Sequence, residues 1–172
     1  MLQALRGALV AIVTVLSSAA MADPADYAAL AAALKNANGT LESGLRAGEQ
    51  LGRPISAKIS LENGTLQLSL WIAKDDGFSE IILYPAIRII TEIVTVSNAE
   101  QVRVATAQKL VLEGATGSLL SATESAVKAN QGLRAISVLP MLSEARPVVV
   151  VTLLGPDGFR IVTEKLIVSG SK

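Results

Sequence analysis

The stretch Thr65–Leu83, TLQLSLWIAKDDGFSEIIL, decides the fold, because a second stretch, Arg146–Thr163, RPVVVVTLLGPDGFRIVT, repeats its plan. In each, an apolar run meets an Asp-Gly turn followed by the same residue, as Asp76-Gly77-Phe78 and as Asp157-Gly158-Phe159, 81 residues apart. Two strand–turn–strand units at a fixed spacing imply tandem duplication of one small unit within 172 residues.

Working outward, the first unit gives the clearest register. Ile55, Ala57, Ile59 and Leu61 alternate with polar Ser56, Lys58, Ser60 and Glu62 before Asn63-Gly64, a type I′ hairpin signal. Leu66, Leu68, Leu70 and Ile72 alternate on the far side. A two-residue loop pairs Leu61 with Leu66, Ile59 with Leu68, Ala57 with Leu70 and Ile55 with Ile72, all apolar on one face. Across the Asp76-Gly77 turn, Ile72 is expected beside Ile81 and Leu70 beside Leu83. Pro85 interrupts that strand at an edge or bulge, and Ile87–Val96 resumes as β. In the second unit Ala135–Leu142 and Pro147–Leu154 form the hairpin through a longer polar link at Ser143–Arg146, and Phe159–Val168 is the last strand. The Val148–Val151 run lacks polar alternation and reads as covered on both faces.

Helices precede each meander. Asp23-Pro24 starts Ala25–Lys35, which Asn38-Gly39 ends, and Thr40 caps Leu41–Leu51 before Gly52 and Pro54. Asn98 with Gln101 resembles a capping box, and a 78-residue offset superposes Leu34 on Leu112 and Gly39-Thr40-Leu41 on Gly117-Ser118-Leu119. That offset makes Ala99–Glu113 a helix although Val102 and Val104 alternate. Ser118 caps Leu119–Asn130, with Gly132 as its stop. The expected fold class is therefore α+β: two repeated units, 23–97 and 98–172, each with helices packed on an antiparallel β-meander.

Met1–Arg6 is a short basic start, Gly7–Leu16 is apolar, and Ala20-Met21-Ala22 is a small-x-small cleavage pattern. Ten apolar residues fall short of the roughly 20 that span a bilayer, so residues 1–22 read as a signal peptide cleaved before Asp23. Without them the chain carries 14 basic and 15 acidic residues, which offers no attraction for nucleic acid. No later segment reads as an integral membrane span. The expected location is periplasmic or secreted.

Cysteine and histidine are both absent. Disulfides, thiolate chemistry, the commonest general base and the commonest metal ligand go with them. Asp75-Asp76 is the sole adjacent carboxylate pair and is explained by its turn, since Asp tolerates turn backbone. Gly114–Leu120, GATGSLL, has glycines before a helix but no following Lys, and Ser118 has no His to activate it. Asn38-Gly39-Thr40 and Asn63-Gly64-Thr65 match the glycosylation pattern but coincide with a cap and a turn. No catalytic, cofactor-binding or metal-binding residue is assigned, and the chain is not expected to be an enzyme. Trp71 is the one candidate binding residue. Its parity opposes Leu68, Leu70 and Ile72, which leaves either an exposed binding surface or a residue covered by a helix of the other unit.

A helix followed by a meander with Asp-Gly or Asn-Gly turns resembles the PepSY domain family. The likeness lies in Leu119–Gly132, Pro147–Leu154 and Asp157-Gly158-Phe159, with a weaker copy in residues 40–83. Such domains often end their last strand with an acidic residue and a Thr-Gly turn, where this chain has Tyr84-Pro85 and Val168–Gly170. The family is associated with pro-regions of secreted metallopeptidases. The resemblance implies a non-catalytic exported binding module that restrains or regulates a peptidase of the cell envelope, with that peptidase or another envelope protein as partner. The alternative is a carrier of a small apolar ligand in a pocket between helix and curved sheet.

Overall fold

The structure is a computed structural model describing residues 24–85 and 89–168. The proposed signal segment 1–22 lies outside the described residues. Over the described residues the chain is a mixed α/β protein with four helices and a seven-stranded antiparallel sheet in the order β4-β3-β2-β1-β6-β7-β8. Helix α1 covers Pro24–Lys35 and α2 covers Leu41–Gly48. The first meander is β1 (Arg53–Glu62), β2 (Thr65–Lys74), β3 (Gly77–Tyr84) and β4 (Ile89–Thr95). Helix α3 (Ala99–Glu113), a short β5 (Ala115–Thr116) and α4 (Leu119–Ala129) follow. The second meander is β6 (Arg134–Ser143), β7 (Arg146–Gly155) and β8 (Gly158–Lys165), and β9 (Ile167–Val168) returns to pair with β5.

The helices start where polar side chains satisfy free N–H groups. Thr40 and Ser118 each form a reciprocal capping box, with Ser43 and Ser121 respectively. Asn98 accepts from the backbone of Glu100 and Gln101. Leu41, Gly44, Leu45 and Gly48 fall on one stripe of α2 and are all buried. That stripe lies directly on the sheet: a Cβ at Gly44 would stand 2.7 Å from Leu68 Cδ1, and one at Gly48 would overlap Leu70. The core is a single cluster that takes in Leu34 of α1, Leu41 and Leu45 of α2, Leu112 of α3, Leu119 of α4 and the facing residues of β1–β3, β6 and β7.

The β1–β2 register agrees with Leu61↔Leu66, Ile59↔Leu68 and Ala57↔Leu70, and then departs from the expectation. Pro54 rather than Ile55 faces Ile72, because a bulge falls between Pro54 and Ser56 and lets Ile55 sink fully into the core. A bulge at the corresponding place in the second hairpin, between Ala135 and Ser137, brackets Ile136.

Four further expectations are corrected. Across the second turn Leu70 faces Ile81 and Leu68 faces Leu83, so the register differs from the expected one by two residues. The loop is Asp75-Asp76, and Gly77, at φ 142, is the first residue of β3. Glycine supplies the positive φ that closes this turn, and Gly158, at φ 122, does so in the second meander. The Ser143–Arg146 link is a two-residue loop, with Glu144 at φ 50 and Ala145 at φ 61. The last strand breaks at Leu166, and α2 ends at Gly48 rather than Leu51.

The two meanders join where β1 meets β6, at Ala57↔Val138 and Lys58↔Ser137. Above this seam Arg46 of α2 bonds Glu124 of α4 at 2.6 Å. Two arginines cross it more deeply. Arg53 of β1 donates to the Leu112 carbonyl of α3 at 2.7 Å. Arg134 of β6 donates to the Leu34 carbonyl at the end of α1 and to Gly39 O at 3.0 Å. Each places a cation at the carbonyl end of a helix belonging to the other half of the chain.

Candidate functional site

Trp71 lies on β2, half-buried, on the sheet face opposite α2. Neither sequence alternative holds in full, since the ring is neither freely exposed nor sealed in the core. Its cross-strand partners are Ser56 on β1 and Glu80 on β3. Glu80 in turn faces Val94 on β4, so Ser56, Trp71, Glu80 and Val94 form one row across four strands. Ser69 donates to the Glu80 carboxylate and fixes it between the Trp and the Val. At the centre of the same face Lys58 is exposed, while Ser60, Ser69, Ser137 and Thr152 are half-buried, which makes this a polar surface carrying one large ring.

Among the described residues no strand pairs with the outer side of β4, so the row ends at an open edge. Val96 N–H donates to Phe78 C=O at 2.9 Å, which sets the hydrogen-bond phase of β3 and β4. In an antiparallel ladder, bonded and non-bonded pairs alternate. Val94 and Glu92 therefore turn their backbone groups toward β3, and Ile93 and Thr95 turn theirs outward. The register slips at Thr91, whose hydroxyl donates to Ile82 O at 3.1 Å, so the regular edge is Glu92–Thr95. Ile93 is 50% and Val94 41% exposed, on opposite faces of that segment, with Ile90 also exposed. An unpaired edge with apolar side chains on both faces is what a bound strand would complete.

On the α2 side of the same strands, a cleft of about 240 Å³ lies between α2 and β2–β3. Gly44, Ala47, Leu68, Leu83 and Pro85 line it.

No family model matches this chain. No curated protein matches it either. A crystal structure described as a "putative lipoprotein" from Clostridium difficile 630 is similar over 74% of this chain and 95% of that one, at 10% identity and a TM-score of 0.41. A score at that level assigns neither fold nor function.

The other residues weighed from sequence are distributed rather than gathered. Asp75 and Asp76 are exposed loop residues at the far end of β2. Ser118 is occupied as a helix cap, and Ala115–Thr116 before it is a strand, so the glycine-containing segment forms no loop around an anion. Asn63 and Gly64 are the two loop residues of the first hairpin, at φ 49 and 78. On α3, hydrogen bonding from Arg103 holds the exposed Glu100 carboxyl below its usual range. Among the described residues no group of three or more carboxylates converges as a metal site. Sequence reasoning missed the β4 edge and its partners Glu80 and Val94. The β-rich run Ile87–Val96 signalled a strand, and only the strand order makes it an edge.

Proposed function

We propose that this chain is a non-catalytic exported binding module. It takes an extended segment of a cell-envelope protein, a peptidase by preference, as an added strand on β4. The open edge at Glu92–Thr95 carries this reading. Main-chain bonds to Ile93 and Thr95 would give affinity. Alternate side chains of the bound segment would meet Val94 on one face, where Glu80 and Trp71 continue the row inward, and Ile93 on the other.

In the same reading the two halves, 23–97 and 98–172, are PepSY-like copies of one unit, and residues 1–22 direct export to the periplasm or beyond. Support comes from β1–β3 and β6–β8, which match in length and are offset by 81 residues, from bulges at Pro54–Ser56 and Ala135–Ser137, and from two Ser- or Thr-based capping boxes. The reciprocal arginines, Arg53 on α3 and Arg134 on α1, fit the same symmetry.

The test is capture from envelope extract on immobilised protein, with the activity of any captured peptidase measured with and without the soluble chain. Thr95→Pro removes an outward N–H and leaves the β3 ladder intact. It should abolish both capture and inhibition, whereas Lys58→Ala, at the sheet centre, should leave both unchanged. Equal capture by wild type and Thr95→Pro would sink the strand-addition reading.

The carrier reading rests on the cleft beside α2. At about 240 Å³ it is smaller than the roughly 300–1,000 Å³ usual for ligand pockets. An apolar ligand retained on native mass spectrometry, and lost in Gly44→Leu, would favour it.

A further inference from the structure

The sheet's other edge has a different chemistry. Pairing of β8 with β7 runs without irregularity from Val148↔Lys165 to Gly155↔Gly158. Leu166 N–H donates to Pro147 O at 3.2 Å. That phase turns the backbone of Arg160, Val162 and Glu164 toward β7. The N–H and C=O groups of Phe159, Ile161, Thr163 and Lys165 point outward. Among the described residues no strand takes them, and Ile161 is 62% and Phe159 45% exposed.

A second β8 approaching antiparallel about a two-fold axis must bring outward groups against outward groups. The axis then passes through a residue, and overlap is greatest when that residue is Ile161 or Val162. Centred on Ile161, Glu164 meets Gly158 and Arg160 meets Val162, and the one opposite-charge pair, Lys165 with Asp157, falls on a loop residue outside the strand. Centred on Val162, Arg160 meets Glu164 of the partner subunit, and the reciprocal contact repeats it. Phe159 meets Lys165 of the partner subunit, and Ile161 meets Thr163 of the partner subunit. Among the described residues Arg160 and Glu164 bond neutral partners, Asn130 just past the end of α4 at 2.9 Å and Ser125 of α4 at 3.4 Å, so both remain available for an opposite charge. Above the antiparallel β1–β6 seam a helix-to-helix ion pair, Arg46 with Glu124, already spans the junction between the halves.

We propose that β8 is a homodimerisation edge: two copies pair antiparallel about Val162, joining their sheets and clasping through two Arg160–Glu164 contacts. Matched charges across strands fix register, and like charges there oppose it. The β4 edge is unsuited to the same use. Its regular part is four residues long, and centred on Ile93 or Val94 it sets Glu92 against Val94 or Val96, with no opposite charge to fix the register. One edge thus serves the second copy and the other stays free, so this proposal stands or falls independently of the function proposed for β4.

Sedimentation equilibrium of the purified protein, from micromolar to near-millimolar concentration, should give a monomer–dimer equilibrium. Arg160→Glu and Glu164→Arg should each raise the dimer dissociation constant about tenfold or more. The double exchange should restore it, with circular dichroism unchanged in all three. Thr163→Pro, which removes an outward N–H only, should leave a folded monomer. A monomer at every concentration, a dimer indifferent to Thr163→Pro, failure of the double exchange to rescue, or an open-ended series of oligomers through β4–β8 pairing would each overturn the proposal.

Discussion

Single residues carry two consequences that can be measured directly. Trp71 is half-buried among Ser56, Glu80 and its strand neighbours. Trp71→Ser should therefore cost about 1 kcal/mol in a denaturant melt, between the negligible effect of a surface change and the 3 kcal/mol or more of a core aromatic. If the ring anchors a bound segment, the same change should also weaken binding by about 2 kcal/mol. A melt shifted by less than a tenth of that, with binding intact, would remove the residue from the site. The second consequence lies at Glu144 and Ala145, at φ 50 and 61, where neither side chain favours the left-handed region. The first hairpin fills the equivalent loop with Asn63-Gly64. Replacing Glu144-Ala145 with Asn-Gly should raise stability by about 1 kcal/mol, read as an increase in the urea midpoint at constant slope.

Among the elements, α2 meets the sheet so closely that two of its glycines are contact surfaces. Gly48→Ala would gain helix propensity on an exposed helix, roughly 1 kcal/mol. Here the new methyl group runs into buried Leu70, and the net change should be a loss of about 1–2 kcal/mol in the denaturant midpoint. Most of the elements were legible in sequence because their causes are local. Thr40, Ser118 and Asn98 sit at the helix starts they were expected to cap, and Asn63-Gly64 turns the hairpin that alternation demanded. Registers were less legible. Asp-Gly reads as a loop pair, yet in the second turn the glycine follows the loop, and that one-place difference moves Leu70 from Leu83 to Ile81. The bulge at Ile55 left no signal, since an apolar residue suits either pairing. The candidate edge was the least legible, because whether Ile89–Thr95 is interior or outermost depends on strand order alone.

At the scale of the whole molecule one buried cluster runs under both meanders, so unfolding should be a single cooperative transition with coincident fluorescence and circular dichroism curves. Arg134 belongs to that cooperativity. Arg134→Ala leaves the carbonyl end of α1 without its cation and should lower stability by about 2 kcal/mol, with amide exchange rising first in Pro24–Lys35. The same contact sets a timetable for biosynthesis. Leu34 and its arginine are 100 residues apart in the chain, and Tyr27 and its acceptor Gly155 are 128 apart. At roughly 5–20 residues per second, the ribosome needs about 5–20 s to supply Arg134 after Leu34. Through that interval the first helix can meet β1 and β2 but lacks the cation that closes its carbonyl end, and the emerging chain remains open to a chaperone or a translocation pore. Nascent chains stalled before Arg134 should stay protease-sensitive throughout α1, and those released after Gly155 should not.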